Sequence, residues 1–271
     1  VGLHNEDQEI VRATTARLKA EGKTGPEYHS PSRPEVAELT ATANFLEVGA
    51  GTGAHLHIVH ISTPDGFDLV RSYRARGVKA TAEMCVHYLH FDAETDMPRL
   101  GGRLKVNPPI RSGRREALWR VIEADGATFV SSDHSAWPLS RKQGPTIFDD
   151  AAGMPGLDTL LPSFFTDAAK RYGADRAAEK AAELMSDKVA RFFGLSKKGR
   201  LSPGMDADVA VLAPGAAVYS AAEFEDGVGW SAYDGETFAA QPVATYVRGR
   251  LAWDGTRVTA AEGTGRFVAR G

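Results

Sequence analysis

Between Gly2 and Asp133 the chain trades strand-like for helix-like patterning four times, and this alternation restricts its fold more than any other feature. The opening VGLH reads as the tail of a strand. A helix over residues 6–21 follows, with Ile10, Val11, Thr14 and Leu18 at helical spacing and Gly22 as its stop. Ser32 can cap a second helix that carries Val36, Leu39, Phe45 and Leu46 and ends near Gly49, before a strand over residues 54–62. Helix 66–76 with strand 78–85, and helix 114–124 with strand 127–133, complete the series. Such alternation argues for parallel βαβ units, whose chemistry gathers at the C-terminal ends of the strands. His4, His60 and Asp133 all stand at such ends.

The pattern changes further on. Helices are expected over residues 157–171, 176–185 and 186–193, the last stopped by Gly194. From Leu195 the chain reads as hairpins, with a turn at Arg248-Gly249 between alternating apolar and polar side chains. The expected organisation is an α/β body over residues 1–194 and a small β domain over residues 195–271. The first residue is Val1 within a strand-like stretch, so an N-terminal region is expected to precede it.

Composition excludes several classes. Thirty-two Lys and Arg against 35 Asp and Glu give a net charge of −3, which offers no basic footprint for nucleic acid. The single cysteine, Cys85, rules out an intramolecular disulfide framework and a cysteine zinc cluster. No apolar run is long enough for a membrane helix and no signal-peptide layout opens the chain, so a soluble, cytoplasmic protein is expected.

Several constellations could carry chemistry. His55 and His57 leave one face of a strand at i and i+2, a spacing that suits either metal chelation or packing between sheet and helices. His60, the last residue before the STPDG turn, reads equally as a ligand or a packed imidazole. In SSDHS, Asp133 suits a metal ligand that also moves protons, or a helix N-cap. GAGTG at residues 49–53 has phosphate-loop composition, but a helix precedes it and a strand follows, the reverse of the order such a loop needs. Cys85 has His87 and His90 nearby in sequence, although buried structural thiols are the commoner case. KVNPPIR makes a rigid loop around Asn107, either a turn or a polar ligand contact.

Taken in order, VGLHNED, TGPEYHSPSRP, LHIVHIS, AEMCVHYL, KVNPPIR, SDHS, GMPGLDTLLP and GRLSPGMDADVAVL resemble the cyclic amidohydrolases: dihydropyrimidinase, hydantoinase, allantoinase and dihydroorotase. The resemblance runs over nearly the whole chain. It implies the second half of a (β/α)8 TIM-type barrel followed by part of a β-sandwich, with His4, His60 and Asp133 on its fifth, sixth and eighth strands. It also implies two divalent metal ions, zinc by family habit, held by His4, His60 and Asp133 together with a His-x-His pair and a carbamylated lysine expected upstream of this chain.

By the same resemblance a metal-bound hydroxide attacks a ring amide carbonyl and Asp133 shuttles the proton, with Asn107 and the backbone of Ala152 and Gly153 touching substrate. The partner is then a small cyclic amide, with no nucleic acid and no membrane, and the intact protein is a homo-oligomer, a tetramer on the family pattern. NPPIR and GMPGLDTLLP lean toward dihydroorotase, while PEYHSPSRP and SDHS lean toward allantoinase or hydantoinase. The alternative is a catalytically inactive scaffold like the dihydropyrimidinase-related proteins, against which the joint presence of His4, His60 and Asp133 argues.

Overall fold

In the computed structural model, which describes residues 1–223 and 227–270, strands β1 (Gly2–Leu3), β2 (Leu56–Ile58), β3 (Ala80–Cys85) and β4 (Phe129–Ser131) lie side by side in chain order, all parallel. Helices α1 (Gln8–Ala20), α2 (His29–Ser32), α3 (Glu35–Thr52), α4 (Pro64–Ala75), α5 (Val86–His90), α6 (Ala93–Leu100) and α7 (Arg115–Glu123) fill the connections. The alternation read from the sequence is therefore a βα series, with strands shorter than their apolar runs because pairing stops where the chain turns into loops.

Local chemistry sets the helix starts. The Asp7 carboxylate accepts from the N–H groups of Glu9 and Ile10 at the head of α1, and Thr63 caps α4 with Pro64 at its first position. Ser32 does not cap the second helix as expected. Its hydroxyl donates to the His29 carbonyl inside α2 at 2.7 Å, and Pro34 precedes α3 with no side-chain cap. Two helices, α5 and α6, occupy the stretch that reads as a long loop, where Pro98 and the brevity of both elements mask helical periodicity.

The core lies between sheet and helices. Leu46, Ile58, Met84, Leu118 and Trp119 are almost wholly buried, and the Trp119 indole donates to the Leu89 carbonyl at 3.0 Å. Along β3 the pleat alternates: Ala80, Ala82 and Met84 are buried, while Thr81 and Glu83 keep partial exposure on the other face. The GAGTG stretch is the end of α3, where the left-handed Gly53 closes the helix and a Cβ at Gly49 would come within 2.6 Å of Leu56 Cδ1, so these glycines serve packing and capping.

This first compact unit comprises Val1–Leu157 and Ser220–Asp234; the second comprises Asp158–Tyr219 and the chain from Gly235 onward. The second holds α8 (Leu160–Tyr172), α9 (Ala174–Ala182) and α10 (Lys188–Phe193) with an antiparallel sheet of β5 (Val209–Val218), β6 (Thr237–Val247) and β7 (Arg250–Trp253). The turn at Arg248-Gly249 is as read, both residues having positive φ, 52° and 76°. Strand-and-helix character divides the sequence at Gly194, whereas packing groups α8 with β6, where Thr166 Oγ1 accepts from the Ala239 N–H at 2.8 Å. No helix among the described residues is long and apolar enough to cross a membrane.

Buried His29 makes the fold sensitive to acid. Its Nε2 meets the Val106 carbonyl at 2.7 Å, and burial, offset in part by that carbonyl, pushes its pKa down to about 3. Above the ordinary imidazole range the ring is neutral in both folded and unfolded chains; below it the unfolded chain takes up the proton first. Stability should therefore fall as pH drops from about 6.5 toward 3. In His29→Gln, whose amide can still donate to Val106, the stability lost between pH 7 and pH 5 should shrink by about 2 kcal/mol, read from urea midpoints. An unchanged pH slope would show that His29 does not carry this linkage.

Candidate active site

Because β1 and β2 are register neighbours (Leu3 opposite Ile58), the chain leaves both strands on the same side and brings His4 against His60. His4 Nδ1 lies 3.0 Å from His60 Nε2, with the rings edge to face at 4.8 Å between centroids. His60 has φ of +41°, a left-handed conformation unusual for a residue with a Cβ. Below it the Glu38 carboxylate, on α3, accepts from the Ser62 N–H at 2.9 Å, the Ser62 hydroxyl and the Thr63 hydroxyl, fixing the turn that carries His60. Burial, then the neighbouring His4, lowers the His60 pKa to about 4, so its ring is neutral near pH 7 and offers a lone pair.

His4 is held from behind. Its Nε2 lies 3.0 Å from Glu6 Oε2, and Arg33 clamps the same carboxylate through Nε and Nη2 at 2.8 and 2.6 Å. Burial would raise the Glu6 pKa, but the hydrogen bonds from His4 and Arg33 outweigh it and hold the group at about 2. An ionised Glu6 accepts the His4 Nε2 proton and leaves the Nδ1 lone pair on the side of His60.

Asp133 follows β4, also left-handed at φ +46°. Its pKa is raised to about 6 by desolvation of the carboxyl, then by the Glu83 carboxylate, against an opposing pull from His4. Glu83 belongs to a polar layer across the sheet: it pairs with His57 Nε2 at 3.0 Å and accepts from the Ser131 hydroxyl at 2.9 Å. His55 and His57 do share a face, both meeting Thr81 Oγ1, at 3.1 and 2.9 Å. Their partners are a hydroxyl and a carboxylate of the sheet, which favours the packing reading over chelation.

The remaining candidates lie in loops. Asn107 precedes Pro108 through a cis peptide, and its side-chain oxygen is buried with no hydrogen-bond partner among the described residues. At residues 152 and 153 the backbone is largely engaged: the Ala152 carbonyl accepts from Trp137 Nε1 at 2.9 Å, and the Gly153 N–H donates to the Lys105 carbonyl at 2.9 Å. Cys85 is fully buried beside Ser131 at 3.4 Å, and burial pushes its thiol well above the ordinary range, an inert environment for a nucleophile.

Two facing imidazole nitrogens suit adjacent donors to one metal ion, and the buried, unpartnered His60 Nδ1 is consistent with a ring oriented through its other nitrogen. Among the described residues, however, no group of three His, Cys, Asp or Glu side chains is close enough to hold an ion. The chain's own residues thus fit part of a metal centre, and a complete site is not formed by them.

No family model matches the chain. An allantoinase of Rubrobacter xylanophilus is 37% identical over 268 residues, spanning 98% of this chain and 58% of the relative. A dihydroorotase of Halobacterium salinarum is 32% identical over 265 residues, 97% of this chain and 59% of its own length. The solved L-hydantoinase from Arthrobacter aurescens superposes with a TM-score of 0.94 at 29% identity, over 99% of this chain and 60% of that one. Over nearly its whole length the chain is similar to cyclic amidohydrolases. It spans just under three fifths of the length of the two curated relatives. By that likeness its parallel sheet and helices fit a partial (β/α)8 barrel, with the antiparallel sheet following in sequence. The sequence reading missed Glu6, Arg33, Glu38, Glu83 and Arg111. Glu6 alone left a signal, a carboxylate two residues after a candidate ligand.

Proposed function

We propose that the whole protein hydrolyses the C–N bond of a small cyclic amide, with Asp133 as the group that moves the proton. The observation that carries this is the meeting of His4 and His60 at two adjacent strand ends, with Asp133 following a third strand of the same parallel sheet. In this reading His4 Nδ1 and His60 Nε2, with Asp133, contribute donors to divalent metal ions, zinc by family habit, completed by a His-x-His pair and a carbamylated lysine from outside this chain. When bound, such ions polarise a carbonyl and acidify water. Asp133, carrying a carboxyl tuned upward from the usual carboxylate range, takes the proton released on ring attack and delivers it to the departing nitrogen. Asn107 and the Ala152 peptide orient the ring.

An allantoin-type ring is the favoured substrate, since identity to the allantoinase, 37%, exceeds that to the dihydroorotase, 32%, and to the L-hydantoinase, 29%. We place the enzyme in the cytoplasm as a homo-oligomer, following the family pattern. The test is elemental analysis of the whole protein paired with ring-opening assays on allantoin, hydantoin, dihydrouracil and dihydroorotate. Bound divalent metal with turnover of allantoin is expected; a folded, metal-free protein that opens none of the four rings would establish the scaffold reading instead.

Glu6→Gln gives a narrower check. A neutral amide in place of Glu6 leaves Arg33 without its counter-charge and removes the anchor of His4. Metal affinity of the whole protein should fall about 10- to 100-fold, measured by competition with a chelator. Unchanged affinity would mean that Glu6 does not orient His4.

A further inference from the structure

We propose that Lys105 and Lys142 form a reciprocal staple that locks the loop over residues 105–110 to the loop over residues 142–154, making Lys142 a positioning residue for ring recognition. The mechanical half stands on geometry alone; the recognition half rests on the function proposed above.

Lysine is among the residues least often buried, because an ammonium leaves water only at a large cost. Lys142 is nonetheless 3% exposed and Lys105 8% exposed. Each of the three N–H donors of Lys142 can be matched to a backbone carbonyl: Lys105 at 3.0 Å, Ala151 at 2.7 Å and Gly153 at 2.7 Å. The Lys105 ammonium reaches the other way, to the carbonyls of Ile147 at 2.7 Å and Asp150 at 2.5 Å. The Lys105 carbonyl also accepts from the Gly153 N–H at 2.9 Å, so each loop grips the other through a buried cation and a backbone bond. Burial pulls both ammonium groups down, Lys142 to about 7 and Lys105 to about 8, and the Asp150 carboxylate acts in the opposite direction on each.

The staple fixes what the two loops present. Lys105 lies two residues before Asn107. In the segment 151–153, the Ala151 N–H donates to the Arg141 carbonyl at 2.8 Å, and the carbonyls of residues 151, 152 and 153 accept from Lys142, Trp137 and Lys142. The Gly153 N–H is spent on Lys105, so the Ala152 N–H is the one peptide donor of the segment with no partner among the described residues. This segment is pressed onto the strand end that carries Asp133: a Cβ at Gly153, whose φ is +111°, would lie 2.6 Å from Ser135 Cβ, and the Ser135 N–H donates to the Met154 carbonyl at 3.0 Å. Three carbonyls arranged around one nitrogen suit an ammonium; the planar fork of arginine does not reproduce that arrangement.

The test is Lys142→Met in the whole protein, with amide hydrogen exchange and steady-state kinetics on the ring substrate. Since a hydrogen bond to a charged group is worth about a tenfold change in an equilibrium, exchange across residues 146–154 should rise about tenfold and KM about tenfold, with kcat within about twofold. A residue with only a structural role would lower the active fraction and leave KM unmoved. Trp137→Phe, which removes the Ala152 carbonyl's donor at a partly exposed site, is the second variant should Lys142→Met fail to fold, and it should raise exchange and KM in the same direction. Unchanged exchange over residues 146–154 overturns the staple. Raised exchange with KM unmoved overturns the positioning role. If the whole protein opens no ring, the exchange result still decides the mechanical half.

Discussion

Asp133→Asn should leave the protein folded and slow ring opening by about a thousandfold, with KM changed only a fewfold. The substitution separates chemistry from fold. Asp133 is left-handed at φ +46°, a conformation that Asn tolerates and Ala does not, so the amide keeps the backbone where it is. Its carboxyl accepts no hydrogen bond among the described residues, so the change orphans no described partner. What is lost is the ability to take a proton from the attacking group and return it to the leaving nitrogen, together with one carboxylate donor to the proposed metal ions. His60→Ala should cost turnover as severely, but it also empties a buried ring position 3.0 Å from His4, so its effect mixes ligand loss with local collapse. Turnover of Asp133→Asn within tenfold of the parent, with an unchanged melting curve, would end the assignment of Asp133 as the proton carrier.

The strand ends were legible in sequence because strands and helices alternate with periods that local patterning records, and parallel topology then sends successive strand ends to one side. That logic put His4, His60 and Asp133 at strand ends without coordinates, and of these the structure brings His4 and His60 into contact. It could not find Glu6 with Arg33, or Glu38 with Arg111, since those pairs are 27 and 73 residues apart and meet only in the folded chain. Nor could it rank His57, whose spacing from His55 permits chelation until Thr81 and Glu83 appear across the sheet as its partners. The backbone at Ala152 and Gly153 raises the same difficulty. A resemblance names the position, but only folded geometry shows that Trp137, Lys105 and Lys142 already occupy most of its polar groups.

The second large effect is expected away from the chemistry, at Arg111, the last residue of KVNPPIR. Its side chain is 4% exposed and that of Glu38 is fully buried; they meet at 3.1 Å. Arg111 also donates through Nε to the Ser62 hydroxyl at 3.1 Å and through Nη1 to the Arg33 carbonyl. Arg111→Met keeps most of the apolar stem but strands the Glu38 carboxylate with only neutral donors. Removing one partner of a buried pair typically costs about 3–5 kcal/mol, whereas replacing both by apolar groups is often close to neutral. Arg111→Met should therefore lose about 3–5 kcal/mol in urea unfolding, and Arg111→Met with Glu38→Leu should recover much of it. The recovery will be incomplete, because Ser62 and Thr63 then lose their acceptor. The same network explains why the damage would reach the site. Glu38 fixes the turn after His60, Arg111 joins that turn to the backbone of Arg33, and Arg33 clamps the Glu6 that orients His4. A single variant within about 1 kcal/mol of the parent would show that Glu38 does not need its counter-ion, and would leave the facing of His4 and His60 to the strand register alone.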